Sequence, residues 1–120
     1  MWFKTKSNNT SESDERWNKY REEKKSFSKN YVGRWVDTKL GLGIILSVDL
    51  ETNYDDLKIV GISKVRVFDI DVAYFYEYEF DEVELINPSE TEKAELKKRY
   101  LSTLREYHLK DEKIYKCNCD

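Results

Sequence analysis

From Gly43 to Glu51 the chain alternates, with Ile44, Leu46, Val48 and Leu50 to one side and Ile45, Ser47, Asp49 and Glu51 to the other. A period of two puts every second side chain on one face of a pleated strand, so this stretch predicts a half-buried strand. The pattern returns at Ala73–Phe80. There Tyr74, Tyr76, Tyr78 and Phe80 share one side, and Phe75, Glu77 and Glu79 the other. Thr52–Asp56 between them reads as a polar turn. Leu57–Ile62, continued through Lys64–Ile70, predicts a third strand, and Asp71-Val72 a tight turn. Arg34–Asp37 reads as a short first strand, set off by the glycine-punctuated loop Lys39-Leu40-Gly41-Leu42-Gly43. Asp81-Glu82-Val83 predicts one helical turn, and Glu84-Leu85-Ile86 a short last strand. The expected core is Ile44, Leu46, Val48, Val65, Val67, Phe80, Val83 and Leu85.

Helical signals flank this β region. Ser11 and Asp14 have the spacing of a capping box, which predicts a helix over about 12–27 with Trp17, Tyr20 and Phe27 as its thin apolar stripe. A helix this short is marginal alone in water, so it is expected to dock those aromatics. Ser89 followed by Glu92 marks a second capping box. The helix it opens, within 87–110, is expected to dock through Leu101, Leu104 and Tyr107, on the sheet or on a second copy of the chain. The expected organisation is a polar N-terminal segment over 1–30, a β unit over 31–86, a C-terminal amphipathic helix over 87–110 and a flexible tail over 111–120. At 120 residues this is one small domain.

One stretch carries a resemblance. Val32-Gly33-Arg34-Trp35-Val36-Asp37-Thr38-Lys39-Leu40-Gly41-Leu42-Gly43-Ile44-Ile45 resembles the opening of Tudor-like, KOW-like and CarD-type domains. In those domains a Val-Gly pair enters the first strand and Gly-x-Gly opens the second. Phe80-Asp81-Glu82-Val83-Glu84-Leu85-Ile86 resembles their closing turn and strand. Over residues 31–86 the resemblance implies a five-stranded SH3-like barrel, here with a helix on each side. Gly41 and Gly43 suit it, since glycine adopts positive φ and lets a neighbouring strand pass closely. The overall make-up also resembles small phage-encoded accessory proteins.

Charge is unevenly spread. Residues 31–86 carry five Lys/Arg against twelve Asp/Glu, a net −7, while residues 1–30 carry eight against five and residues 87–120 eight against seven. An acidic centre repels phosphate, so nucleic-acid binding is disfavoured. What basic character there is lies in the arms, at Lys19, Arg21, Lys24, Lys25 and Lys29 and at Lys93, Lys97, Lys98 and Arg99. Polar residues follow Met1-Trp2-Phe3-Lys4 with no apolar run, so neither a signal peptide nor a membrane span is expected. Cys117 and Cys119 read as part of a solvated tail in a reducing compartment, which points to the cytoplasm, that of the host if the chain is phage-encoded.

His108, the only histidine, has no nucleophile at a recognisable spacing and reads as a helix-face or helix-end residue. The run Glu77, Glu79, Asp81, Glu82 and Glu84 lacks a calcium-loop pattern and reads as a wet face able to attract a basic partner. The expected activity is therefore non-catalytic, with no metal and no cofactor. The chain reads as a protein-interaction module that contacts a partner through Trp35, Tyr74, Phe75, Tyr76, Glu77 and Glu79. In Tudor-like barrels aromatics at one rim form a ligand cage or partner groove, which the resemblance extends to this set. The alternative is a nucleic-acid- or RNA-polymerase-associated transcription accessory using the basic arms.

Overall fold

The computed structural model describes residues 2–113, with side chains described from Asp14 onward. Helix α1 spans Trp2–Lys29, followed by strands β1 (Trp35–Thr38), β2 (Gly41–Asn53), β3 (Lys58–Asp69) and β4 (Tyr74–Glu79). A 3-10 turn at Phe80–Glu82, strand β5 (Glu84–Leu85) and helix α2 (Glu90–Glu106) complete the order. The strands form one antiparallel sheet in the order β4-β3-β2-β1-β5, a mainly β fold with flanking helices. Helix α1 passes through Ser11 instead of starting there, and at 28 residues it is roughly 42 Å long. Helix α2 begins where Ser89 predicts, since the Ser89 side chain accepts from the Glu92 amide and Glu92 reaches back to the Ser89 amide.

The alternation of β2 does not define a single face. Ile45 pairs with Val67 and Ser47 with Arg66, so Leu46 is an extra residue opposite β3. Such a bulge reverses the phase of the pleat. Ile45, Val48 and Leu50 pack with Val36, Val65, Val67 and Tyr78 on one side, backed by Phe27, Tyr31, Phe80, Val83 and Leu85. Ile44 and Leu46 pack on the other side with Trp35, Phe68, Ile70, Tyr100 and Leu104. The expected core therefore splits, with Ile44 and Leu46 leaving it. Ile45 and Ser47, expected to face water, are fully buried. Ile45 is enclosed by the first cluster, while α2 covers the second face of the sheet, where Ile44 and Leu46 lie.

Helix α2 docks through Tyr100 and Leu104, with Leu96 beside them, rather than through Leu101 and Tyr107, which stay exposed. Leu96, Tyr100 and Leu104 recur every four residues, the spacing of one helix face. The first residues of the segment expected as a tail make contacts. The Tyr100 hydroxyl donates to Asp111 at 2.7 Å and Arg66 pairs with Glu112 at 2.8 Å, so residues 111–112 are tied down. Cys117 and Cys119 lie outside the described residues. Among the described residues no helix is long and apolar enough to cross a membrane.

Helix α1 docks through Tyr20, Lys24, Phe27 and Ser28, and the Tyr20 hydroxyl meets Thr52 Oγ1 at 2.5 Å. Ser28 is fully buried and its hydroxyl has no hydrogen-bond partner among the described residues. An orphaned buried polar group is destabilising. Ser28→Ala is therefore expected to raise stability by about 1 kcal/mol, read as a higher urea midpoint at unchanged slope. A lower midpoint would show that the hydroxyl is satisfied in solution.

Asp71, in the β3–β4 turn, joins three elements. It accepts from the Leu42 amide at 2.9 Å at the start of β2, and it pairs with Arg99 of α2. The Leu42 amide, and then Arg99, hold its carboxyl below the usual 3.8 despite some desolvation. The reciprocal bonds with Ser89 hold Glu92 below its usual 4.5. Both folded-state values are lowered, so both groups stabilise the fold fully above the ordinary carboxylate range and lose that contribution as pH falls through the lowered values. The melting temperature is expected to fall below about pH 4, and Asp71→Asn to flatten that acid slope. An unchanged slope in the variant would remove Asp71 from the account.

Candidate functional site

Strand β4 is an edge strand, and no strand among the described residues pairs with its outer side. Its inner side is in regular register with β3, Asp69 opposite Tyr74 through Lys64 opposite Glu79. Two observations fix which backbone groups face outward. The Glu79 amide donates to Glu82 Oε1 at 2.9 Å, away from β3. The Ile70 amide donates to Leu42 on β2 at 2.9 Å, which sets the phase of β3. Residues of an antiparallel pair alternate between exchanging both backbone hydrogen bonds and exchanging neither. Tyr74, Tyr76 and Tyr78 therefore bond to β3, while Phe75 and Glu77 turn their N–H and C=O to the open edge.

The two faces of this edge differ. On one, Tyr74 and Tyr76 meet edge-on at 5.4 Å, and Tyr76 lies 6.3 Å from Tyr78. Tyr74 is 60 % exposed and Tyr76 39 %, whereas Tyr78 is buried. The Tyr78 hydroxyl donates to Asp69 Oδ2 at 2.7 Å, and Thr38 donates to Asp69 Oδ1 at 2.6 Å. Burial, and next to it the Asp69 carboxyl, push the Tyr78 hydroxyl above its usual range, so it stays a donor. The tyrosine row is thus anchored at one end and free at the other.

On the second face Phe75 packs on Phe68 at 4.9 Å, with the Arg66 guanidinium 5.1 Å from its ring. Glu77 lies 3.5 Å from Lys64, and Glu79, Asp81, Glu82 and Glu84 are exposed beyond it. Asp37 is the cross-strand partner of Glu84, so two acids stand opposite each other where β1 meets β5. No group of three or more His, Cys, Asp or Glu side chains suited to a metal ion occurs among the described residues.

Of the residues the sequence singles out, Tyr74, Phe75, Tyr76, Glu77 and Glu79 share this edge. Trp35 does not. It is 7 % exposed and packs edge-on against Tyr100 at 6.4 Å beneath α2, so it is a core residue. Phe75 is half-buried and contributes mainly packing. Sequence reasoning missed Lys64 and Arg66, whose place under β4 follows only from the register. It also missed the Glu82 cap, whose spacing from Glu79 is that of a capping box without the usual hydroxyl residue. His108 follows the end of α2 as a turn residue with φ of 56°. The basic arm on α1 borders a cleft of about 660 Å³ against the β2–β3 hairpin, where Lys19 and Lys58 alternate with Glu22 and Glu23.

No family model matches this chain, and no curated protein and no solved structure matches it either.

Proposed function

We propose that this chain is a non-catalytic protein-interaction module that contacts a partner protein through the β4 edge. The observation that carries this reading is the pair of exposed tyrosines, Tyr74 and Tyr76, on a strand whose outer side is open. Exposed aromatics are enriched in the energetic centres of interfaces. Glu77, Glu79 and the acids that follow favour a basic partner surface, through steering more than through affinity. The finer architecture proposed is an SH3-like small barrel. Its support is the strand order with a 3-10 turn before β5, and the packing of Tyr78 from one edge strand into the same cluster as Val83 and Leu85 around the other.

The test captures a partner on the immobilised chain and compares two variants by binding kinetics. Tyr74→Ala with Tyr76→Ala spares Phe75, whose loss would disturb Phe68, and is expected to speed dissociation at least about tenfold. Glu77→Lys with Glu79→Lys is expected to slow association, most visibly at low salt. If both variants bind as the parent does, the interface lies elsewhere and this reading fails. Capture of DNA or RNA, lost on neutralising Lys24 and Lys25, would replace it with the nucleic-acid reading.

A further inference from the structure

We propose that β4 binds its partner by strand addition, taking an extended segment in which basic and apolar residues alternate. The inference rests on the interaction reading above and deepens it by naming the mode of binding and the chemistry of the ligand. The phase of β4 makes the Phe75 and Glu77 amides and carbonyls outward-facing, as derived from the Glu79–Glu82 and Ile70–Leu42 hydrogen bonds. They form a short row of donors and acceptors of the kind that pairs with another strand. The Glu82 carboxylate occupies the next amide and ends the row at Glu79.

The side chains select what can pair there. A strand added to β4 alternates its side chains between the two faces of the sheet. On the Tyr74 and Tyr76 face an apolar residue covers exposed ring surface. On the other face a Lys or Arg meets the exposed Glu77 and Glu79 carboxylates. A second copy of this chain fits poorly. Two β4 strands paired antiparallel around Glu77 set Glu77 against Glu77, and around Tyr76 they line up the acids of both copies along one face. Like charges across a pair are destabilising, and charged edges are a means of preventing self-pairing.

The experiment uses the full chain, labelled with nitrogen-15, and three six-residue peptides with blocked ends. One alternates lysine and valine. The second is the same peptide N-methylated at alternate residues, on the side that would face β4. The third has glutamate in place of lysine. With the first peptide, amide exchange at Phe75 and Glu77 is expected to slow about tenfold or more, while Tyr74 and Tyr76, already bonded to β3, stay as they were. N-methylation removes the pairing donors and keeps the charge, and it is expected to weaken binding about tenfold or more. The glutamate peptide is expected not to bind. Equal binding of the methylated peptide, protection without the alternation, or no binding of the lysine peptide at millimolar concentration would overturn strand addition. So would protection of Phe75 and Glu77 that grows with protein concentration alone, which would mean self-pairing. None of these outcomes touches the Tyr74 and Tyr76 kinetics against a captured partner, so the two readings fail separately.

Discussion

Tyr100→Ala is expected to lower the free energy of unfolding by about 3–5 kcal/mol, as deletion of a large core aromatic does. Tyr100 is 2 % exposed, and its ring meets Phe68 at 5.7 Å and Trp35 at 6.4 Å. It is thus the main bolt between α2 and the sheet. Against a total stability of about 5–15 kcal/mol for a domain, this loss should leave α2 largely undocked. Guanidinium titration measures the energy. Emission of Trp35, in a background with Trp2 and Trp17 replaced by Phe, reports whether α2 has lifted. Tyr100→Phe keeps the ring and loses only the hydroxyl bond to Asp111, so it should cost about 1 kcal/mol. If the Ala variant unfolds within about 1 kcal/mol of the parent, α2 is not docked as described.

The second large effect is expected at Asp69, whose carboxyl group is wholly buried between Thr38 and Tyr78. Asp69→Leu leaves the buried Tyr78 hydroxyl without its acceptor, at about 1–3 kcal/mol, while the half-buried Thr38 hydroxyl keeps the Gly41 carbonyl. Adding Thr38→Val and Tyr78→Phe removes both hydroxyls, the orphaned one of Tyr78 included, and the triple variant is expected to regain most of the loss, because replacing a whole polar set by apolar groups can be nearly neutral. Urea denaturation of the single and triple variants decides between two causes. A triple variant as unstable as the single one would place the cost in packing. The same experiment bears on the candidate site, since Tyr78 is the buried anchor of the Tyr74–Tyr76 row.

The alternation at Tyr74–Glu79 made most of the candidate site legible in the sequence, because strand periodicity alone assigns Tyr74, Tyr76, Glu77 and Glu79 to their faces. The capping box at Ser89, the glycine-punctuated entry to β2 and the turn after Ile70 were legible for the same local reason. What stayed hidden depends on neighbours distant in sequence. The extra residue at Leu46 exists only relative to β3, so perfect alternation in β2 gave no sign that its phase reverses. Trp35 reads as a surface aromatic until α2 is placed over it. The docking face of α2 was only partly legible, since Leu104 belongs to both stripes while Leu101 and Tyr107 are as apolar as Leu96 and Tyr100, and only the shape of the sheet beneath decides between them.

The bulge at Leu46 also marks a place where this chain can drift in length. Loss of one codon at the bulge would restore an unbroken pleat in register with β3 and leave Ile44, Ile45, Val48 and Leu50 in their present layers, whereas loss of one from a regular stretch of a strand carries the residues on one side to the opposite layer. Gains and losses in the exposed turn near Tyr54 and Asp55 meet no such constraint, since both flanking strands keep their phase there. Insertions and deletions among descendants of this sequence should therefore gather at the hairpin tip, with single losses tolerated at the bulge, and spare the regular stretches of the strands, even where the residues themselves diverge.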